Sequence, residues 1–392
     1  MSKELCLHSG GVTKPLPRSN FASVYPAERG YRIGTPHYER SASPQGGMEL
    51  LTPRTSLGET EAKLGRGAQY CSYSSLSFRI NIIGMPELPE VQTIVTDLKR
   101  RIIGKKIADF WTDTPRIIKG FSPNDFKREV VGFEIADVQR RGKNILFYLE
   151  KTIRKRKDKK IMLAHQKMTG HFLIGRWRIH PPKFSEGKLR GVKRVDATVK
   201  GPIASDPYNQ YIRVIFRLDN GWELGLSDLR KFARITVGPP QKIEHSKEIA
   251  SLGPDALSPK FSPKYLFSVL QKRKKLIKPI LLEQNVMAGV GNIYADEALF
   301  LAKINPQRKA AGVKRSEVER LVKSIKKVLQ KSIRLKGTSV IDYRDTYGRR
   351  GKYDKVRWVY DKEKLPCRIC RTLIKRVKIG QRSSYFCPRC QK

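Results

Sequence analysis

Apolar positions change their period several times along this chain. Between Leu88 and Ile103, the residues Val91, Ile94, Val95, Leu98 and Ile102 recur at the i, i+3, i+4, i+7 spacing of one helix face, and Gly104 stops the run. The period then shortens to that of strands. Phe133–Gln139, Ile145–Glu150, Ile161–His165, Tyr211–Leu218, Trp222–Leu226 and Arg234–Val237 read as β-segments, with Asn220-Gly221 as a turn. Pro239-Pro240 opens a polar stretch reaching 253, after which the helical period returns over 264–284, 293–302 and 316–334. In the last of these Ser316 and Glu319 suit a capping box, and Val318, Leu321, Val322, Ile325, Leu329 and Ile333 form the stripe that Gly337 ends. The pattern predicts an α+β fold: a helix-flanked β-sandwich over 86–240, a hinge over 241–253, a helical domain over 254–350 and a small module over 357–392. Within the first, 174–210 is a basic, Gly/Pro-punctuated surface excursion.

Residues 1–84 keep no sustained period, are rich in Ser, Gly and Pro, and read as coil. They lack a secretory apolar segment, and six Glu argue against a transit peptide. A mis-assigned start, a removed leader and a disordered arm are the three readings, the first being preferred. Charge then narrows the partners. The chain carries 80 Lys+Arg against 36 Asp+Glu, a formal +44; removing the 10 and six of residues 1–84 leaves 70 and 30 on the rest. Such an excess calls for a polyanion, and its dispersal among apolar residues favours nucleic acid over a bilayer. No run of 18 apolar residues exists to span a membrane.

Cys367-x-x-Cys370 and Cys387-x-x-Cys390 can bring four thiolates around one point, a closed tetrahedral shell for one structural Zn²⁺; disulfides are the alternative, without a secretion signal to support them. Between the knuckles, Arg371, Lys375, Arg376, Lys378 and Arg382 make a hairpin that faces nucleic acid or is merely a solvated basic turn. Gly289-Val290-Gly291-Asn292 precedes a helix and exposes backbone N–H groups suited to a phosphate, with Lys278 on the helix before it. His165, His171, His180 and His245 are not at metal spacing. Pro86-Glu87 has two readings. It starts a helix with acidic residues at the positive end. Alternatively, if Met85 is the start and is removed, Pro86 is a secondary amine with pKa ~7.7–8.0, able to attack an acetal carbon, with Glu87 beside it to move protons.

Six stretches in order, MPELPEVQTI (85–94), QRRGKNILF (139–147), HQKMTGHFL (165–173), SDLRKF (227–232), NVMAGVGNIYADEALF (285–300) and the four-cysteine finger with GQRSSYFC (380–387), resemble bacterial formamidopyrimidine-DNA glycosylases, of the wider family that includes endonuclease VIII. The resemblance covers about 85–392 and none of 1–84. It implies a helix–two-turn–helix domain in the helical half and a bifunctional glycosylase/AP lyase that removes oxidised purines from duplex DNA. Pro86 would then attack C1′, Glu87 open the sugar and Lys143 serve β-elimination. Arg382, Asn292 and Lys278 would hold phosphates. Met168, Arg230 and Phe232 would fill the space left by the extruded base, and a lesion-reading loop would fall at about 337–356. Tyr211 stands where the family often has a DNA-contacting His. The damaged duplex would be the partner of a cytoplasmic, nucleoid-associated monomer with no small-molecule cofactor and no membrane. An oxidised-pyrimidine glycosylase, or a non-catalytic zinc-containing DNA-binding protein if Pro86 stays in a peptide bond, are the rival readings.

Overall fold

The structure, a computed structural model, describes residues 85–392 apart from 182, 186, 187, 191, 192 and 340–342; the coil expected over 1–84 lies outside these residues. The chain enters through helix α1 (Leu88–Ile102), strand β1 (Ile107–Thr112), helix α2 (Pro123–Val130) and strands β2 (Glu134–Arg141), β3 (Asn144–Ile153), β4 (Arg156–His165) and β5 (His171–Gly175). An excursion bearing β6 (Trp177–His180), β7 (Lys183–Ser185), β8 (Lys188–Arg190) and β9 (Arg194–Ala197) leads to β10 (Ile212–Leu218), β11 (Glu223–Ser227) and β12 (Arg234–Gly238). Two antiparallel sheets, β1-β10-β11-β5 and β12-β4-β3-β2, pack face to face. Phe110, Phe126, Phe147, Phe172 and Phe216 fill the space between them, and Val91, Ile94 and Leu98 of α1 complete that core.

Alternation along β10, reset by a bulge between Ile212 and Val214, explains how one strand serves two cores. Val214, Phe216 and Leu218 face the sandwich interior, whereas Ile212 and Ile215 join Trp177, Val195 and Ile203 in a smaller cluster. The excursion is therefore more than the surface loop expected from its composition: β6 pairs with β9, and its apolar residues bury against the outer face of the sheet.

The helical half holds α3 (Pro240–Glu244) and α4 (Lys247–Ala250), then α5 (Pro263–Gln271), α6 (Ile277–Leu282), α7 (Asn292–Leu301) and α8 (Arg315–Arg334). The stretch expected as a hinge carries the two short helices α3 and α4. Two expectations need correction here. The single helix over 264–284 is broken at Lys272-Arg273-Lys274-Lys275: Pro279 lacks an N–H and fits only a first turn, so a new helix must begin just before it. The capping box of α8 lies two residues early, where the Glu317 carboxylate accepts from the Lys314 N–H at 2.8 Å. The stripe of α8 is buried as its period requires, apart from a half-buried Ile333. Strands β13 (Lys375–Ile379) and β14 (Arg382–Phe386) form the finger hairpin. No described helix is long and apolar enough to cross a membrane.

Candidate active site at the sandwich–helix junction

The sequence sets Glu87 one residue before α1, where its side chain is free to leave the helix. It crosses to the start of α7 and accepts from the N–H groups of Gly291 (2.8 Å), Ile293 (3.0 Å) and Tyr294 (3.5 Å). The first N–H groups of a helix have no partner within it, and their partial positive charge suits an anion. The glycine-rich turn read as a phosphate cradle thus holds a carboxylate of the same chain. Only glycine allows this: a Cβ at Gly291 would lie 2.5 Å from the Glu87 carboxyl carbon, and one at Gly289, whose φ is +104°, 2.7 Å from Leu88. Leu88 N–H bonds to the Gly289 carbonyl at 2.9 Å, fastening α1 to the same turn.

Glu87 is 3 % exposed, and burial raises its pKa, opposed by the Lys143 charge and the three N–H donors. Lys143 sits on the turn between β2 and β3, where Gly142 takes φ +59°. Burial lowers its pKa while Glu87 and Glu90 pull it back up. The acid is biased toward keeping a proton and the amine toward losing one. Behind them Glu90 accepts from Glu87 N–H (2.9 Å), Thr338 N–H (2.7 Å) and the Tyr294 hydroxyl; burial, then the Glu87 charge, raises its pKa to about 7.

Glu87, Lys143, Asn292 and Arg382 line one cleft of about 570 Å³ between the sandwich, the helical half and the finger. Met85 also lines it, while Pro86 is buried beside it with its nitrogen in the Met85–Pro86 peptide bond. Asn292 Nδ2 bonds to the Ser383 carbonyl at 3.1 Å, and Arg382 is exposed on β14. Lys278 departs from expectation. It is 1 % exposed, with Nζ 2.6 Å from Asp296 Oδ1 and donating to Ser383 O (2.9 Å) and Ser384 Oγ (2.8 Å). Its ammonium docks the finger onto α7 and, in this arrangement, is not presented to a phosphate.

A second cluster stands at the same end of the sheet, since Asn144, next to Lys143, pairs with His165, and His165 with Arg234. Arg230 Nη1 lies 3.2 Å from Met168 Sδ, and its guanidinium covers the Phe232 ring at 4.7 Å, so Met168 meets a turn distant from it in sequence. Asp228 organises them: it is fully buried, and accepts from the Thr169 hydroxyl, Arg230 N–H (3.2 Å) and Ala233 N–H (2.8 Å). Tyr211 joins through its carbonyl, which accepts from Asp228 N–H at 2.8 Å. Asp228, Glu90 and Tyr294 were missed as site residues, though Glu90 three residues after Glu87 is a capping signal.

Cys367, Cys370, Cys387 and Cys390 place all four Sγ atoms within 4.8 Å of one another, with Cys367–Cys390 at 3.9 Å and Cys370–Cys387 at 3.4 Å. A tetrahedron with Zn–S of about 2.3 Å has sulfur–sulfur edges of about 3.8 Å, so the set fits one structural Zn²⁺ with no open position.

Known proteins share this arrangement. The formamidopyrimidine-DNA glycosylase N-terminal domain matches residues 85–235, that enzyme's H2TH domain 252–343, and the zinc finger found in FPG and IleRS 364–392. The formamidopyrimidine-DNA glycosylase of Symbiobacterium thermophilum is 38 % identical over 308 residues, 78 % of this chain and 89 % of that protein. The chain belongs to the formamidopyrimidine-DNA glycosylase family. The Pelotomaculum thermopropionicum member is 35 % identical over 79 % of this chain and 99 % of its own length. Lactococcus lactis Fpg in complex with DNA containing an abasic site is 28 % identical with a TM-score of 0.64, covering 78 % of this chain and 99 % of that one. A mutant of it, bound to Fapy-dG DNA, is 29 % identical with a TM-score of 0.65, covering 78 % and 100 %.

Proposed function

We propose that this protein is a bifunctional DNA glycosylase and AP lyase that removes oxidised purines, 8-oxoguanine and formamidopyrimidines, from duplex DNA during base excision repair. The observation that carries the reading is the opposed pair Glu87 and Lys143 in one cleft, next to Pro86 and bordered by Arg382 and Asn292. The active form begins at Pro86, because an amide nitrogen has no lone pair to give.

Arg382 and Asn292 hold the phosphates flanking the lesion, and Met168, Arg230 and Phe232 enter the vacated stack. The Pro86 amine attacks C1′, and the base leaves with the bonding electrons and takes up a proton. The Pro86 nitrogen loses its proton and its lone pair forms C=N⁺ as the C1′–O4′ bond opens, while Glu87, which burial biases toward its protonated form, gives its proton to O4′. Lys143, biased toward the neutral amine, accepts the C2′ proton, and the 3′ phosphate departs; a second elimination releases the 5′ phosphate. Zn²⁺ at the finger orders the hairpin that carries Arg382. The enzyme acts as a monomer in the bacterial cytoplasm.

Borohydride reduction tests the central step. A covalent adduct with oxidised-guanine duplex is expected from protein whose first residue is Pro86. Equal trapping by the chain that still begins at Met1 would refute the role of the Pro86 amine.

A further inference from the structure

The excursion between β5 and β10 reaches past its own small core. Its last part, 202–211, is held firmly: Trp177 Nε1 donates to Asn209 Oδ1 at 2.8 Å, Asn209 Nδ2 donates to the Ile203 carbonyl at 2.6 Å, and Ile203 is buried with Trp177 and Val195. Against this platform lies segment 343–348. Arg344 Nε stands 3.6 Å from Asp206 Oδ2, with side chains 10 % and 1 % exposed, and the guanidinium covers the Tyr208 ring at 5.0 Å. Ile174 N–H donates to the Thr346 carbonyl at 2.8 Å. Gly348 takes φ +80°, and a Cβ there would lie 3.0 Å from Ile203 Cα.

The other side of the same segment reaches the chemistry. The Tyr343 hydroxyl donates to the Glu90 carbonyl at 3.3 Å, and the Thr346 hydroxyl to Asp97 Oδ2 at 3.4 Å, both acceptors on α1. The Glu90 side chain in turn receives the N–H of Glu87 at 2.9 Å. A continuous set of contacts therefore runs from Asp206 and Tyr208, through Arg344 and Tyr343, to the turn that bears Pro86 and Glu87. Segment 343–348 thereby packs on α1, the helix that begins one residue after Glu87.

We propose that Asp206 and Tyr208 are positioning residues that fix Arg344, and with it segment 343–348, so that the excursion governs how the damaged base is held without taking part in the reaction at the sugar. The proposal rests on the glycosylase reading. A buried cation losing its carboxylate moves or seeks water, and an ångström of misplacement in a positioning group costs up to about 100-fold in rate.

Two single-turnover assays separate the outcomes. They use zinc-loaded protein beginning at Pro86, close to the length at which the relatives are complete, since 308 matched residues span 99 % of the Pelotomaculum thermopropionicum member. One follows base excision from duplex carrying a formamidopyrimidine, the other nicking at a preformed abasic site, where there is no base to hold. Asp206→Asn and Tyr208→Leu are expected to slow excision about 10- to 100-fold while leaving nicking within about twofold, and Tyr208→Phe, which keeps the ring face, to retain the wild-type ratio. Unchanged nicking also shows that the variants are folded. If excision and nicking fall together, or the ratio does not move in either variant, the proposal is overturned while the glycosylase reading stands. A wild-type protein that neither excises nor nicks would remove both.

Discussion

Around Glu87 the polar groups are buried and matched to one another; around Arg230 the working side chains are half-buried or exposed. The Glu87 carboxylate receives three backbone N–H groups and is 3 % exposed, whereas Phe232 is 45 % exposed and Met168 and Arg230 are half-buried, with Asp228 and Thr169 buried beneath them. The two regions share one end of the sandwich and face different problems. A proton donor and a proton acceptor need low dielectric to hold unusual protonation states near neutrality. A group that must enter a base stack needs an apolar surface within reach of the duplex, and rigidity supplied from below. Loss of function at the first should appear as slower chemistry with DNA still bound. At the second it should appear as failure to extract the base.

The largest effect expected is from Glu87→Gln, which keeps the shape and the acceptor oxygen but has no proton to give. Excision at neutral pH should fall by about 10²–10⁴-fold with duplex affinity unchanged. A fall in affinity of the same size would mean that the carboxylate serves the fold and not the reaction. Next is Lys278→Ala, which strands the buried Asp296. Denaturant titration should show about 3–5 kcal/mol lost, and the salt dependence of DNA binding should keep its slope. Arg382→Ala should do the reverse, flattening log K against log salt by roughly one unit with little change in stability. If Lys278→Ala flattens that slope as well, the ammonium does reach a phosphate when DNA is bound.

Glu90 sharpens the buried side of the comparison through pH. Its pKa is about 7 in the folded protein against 4.5, so the folded state binds more protons than the unfolded state between these values. Stability from this group is full below pH 4.5 and is lost as pH rises through 7. The stability gap between wild type and Glu90→Gln should therefore shift in favour of the variant by about 2 kcal/mol from pH 5 to pH 8. A gap that does not change over that range would show that Glu90 is not raised. The smallest effect belongs to the exposed side: Met168→Ala should slow excision about tenfold and leave non-specific binding and its salt slope unchanged. Weakened non-specific binding would assign Met168 to the general DNA surface.

Much of this was legible before any coordinates. The stripes of α1 and α8 were read correctly because burial of one helix face enforces a 3.6-residue period. Most core strands were read because burial of one sheet face enforces alternation. The four cysteines carried their own spacing, whereas Pro86-Glu87 by itself stayed open between a helix start and an amine beside an acid. β1, β5 and α2 escaped because their assignment depends on the strands they meet. The break between α5 and α6 escaped because a long apolar period outweighed a single Pro279.

What the residue order determined by itself, then, is local: element type where a periodic face must be buried, the zinc ligands, and the kinds of side chain available for catalysis. Tertiary structure decided which anion the Gly289–Gly291 turn receives, because a free helix N-terminus suits a phosphate or a carboxylate equally well. Only the return of α1 against that turn brings Glu87 to it first. The same holds for Lys278, a cation whose partner, Asp296, is eighteen residues away on the next helix, and for Arg344, which meets Asp206 only when the excursion folds back. Charge and hydrogen-bonding capacity are properties of a residue; the group that satisfies them is set by which segments the core brings within about 3 Å, and sequence spacing does not encode that distance.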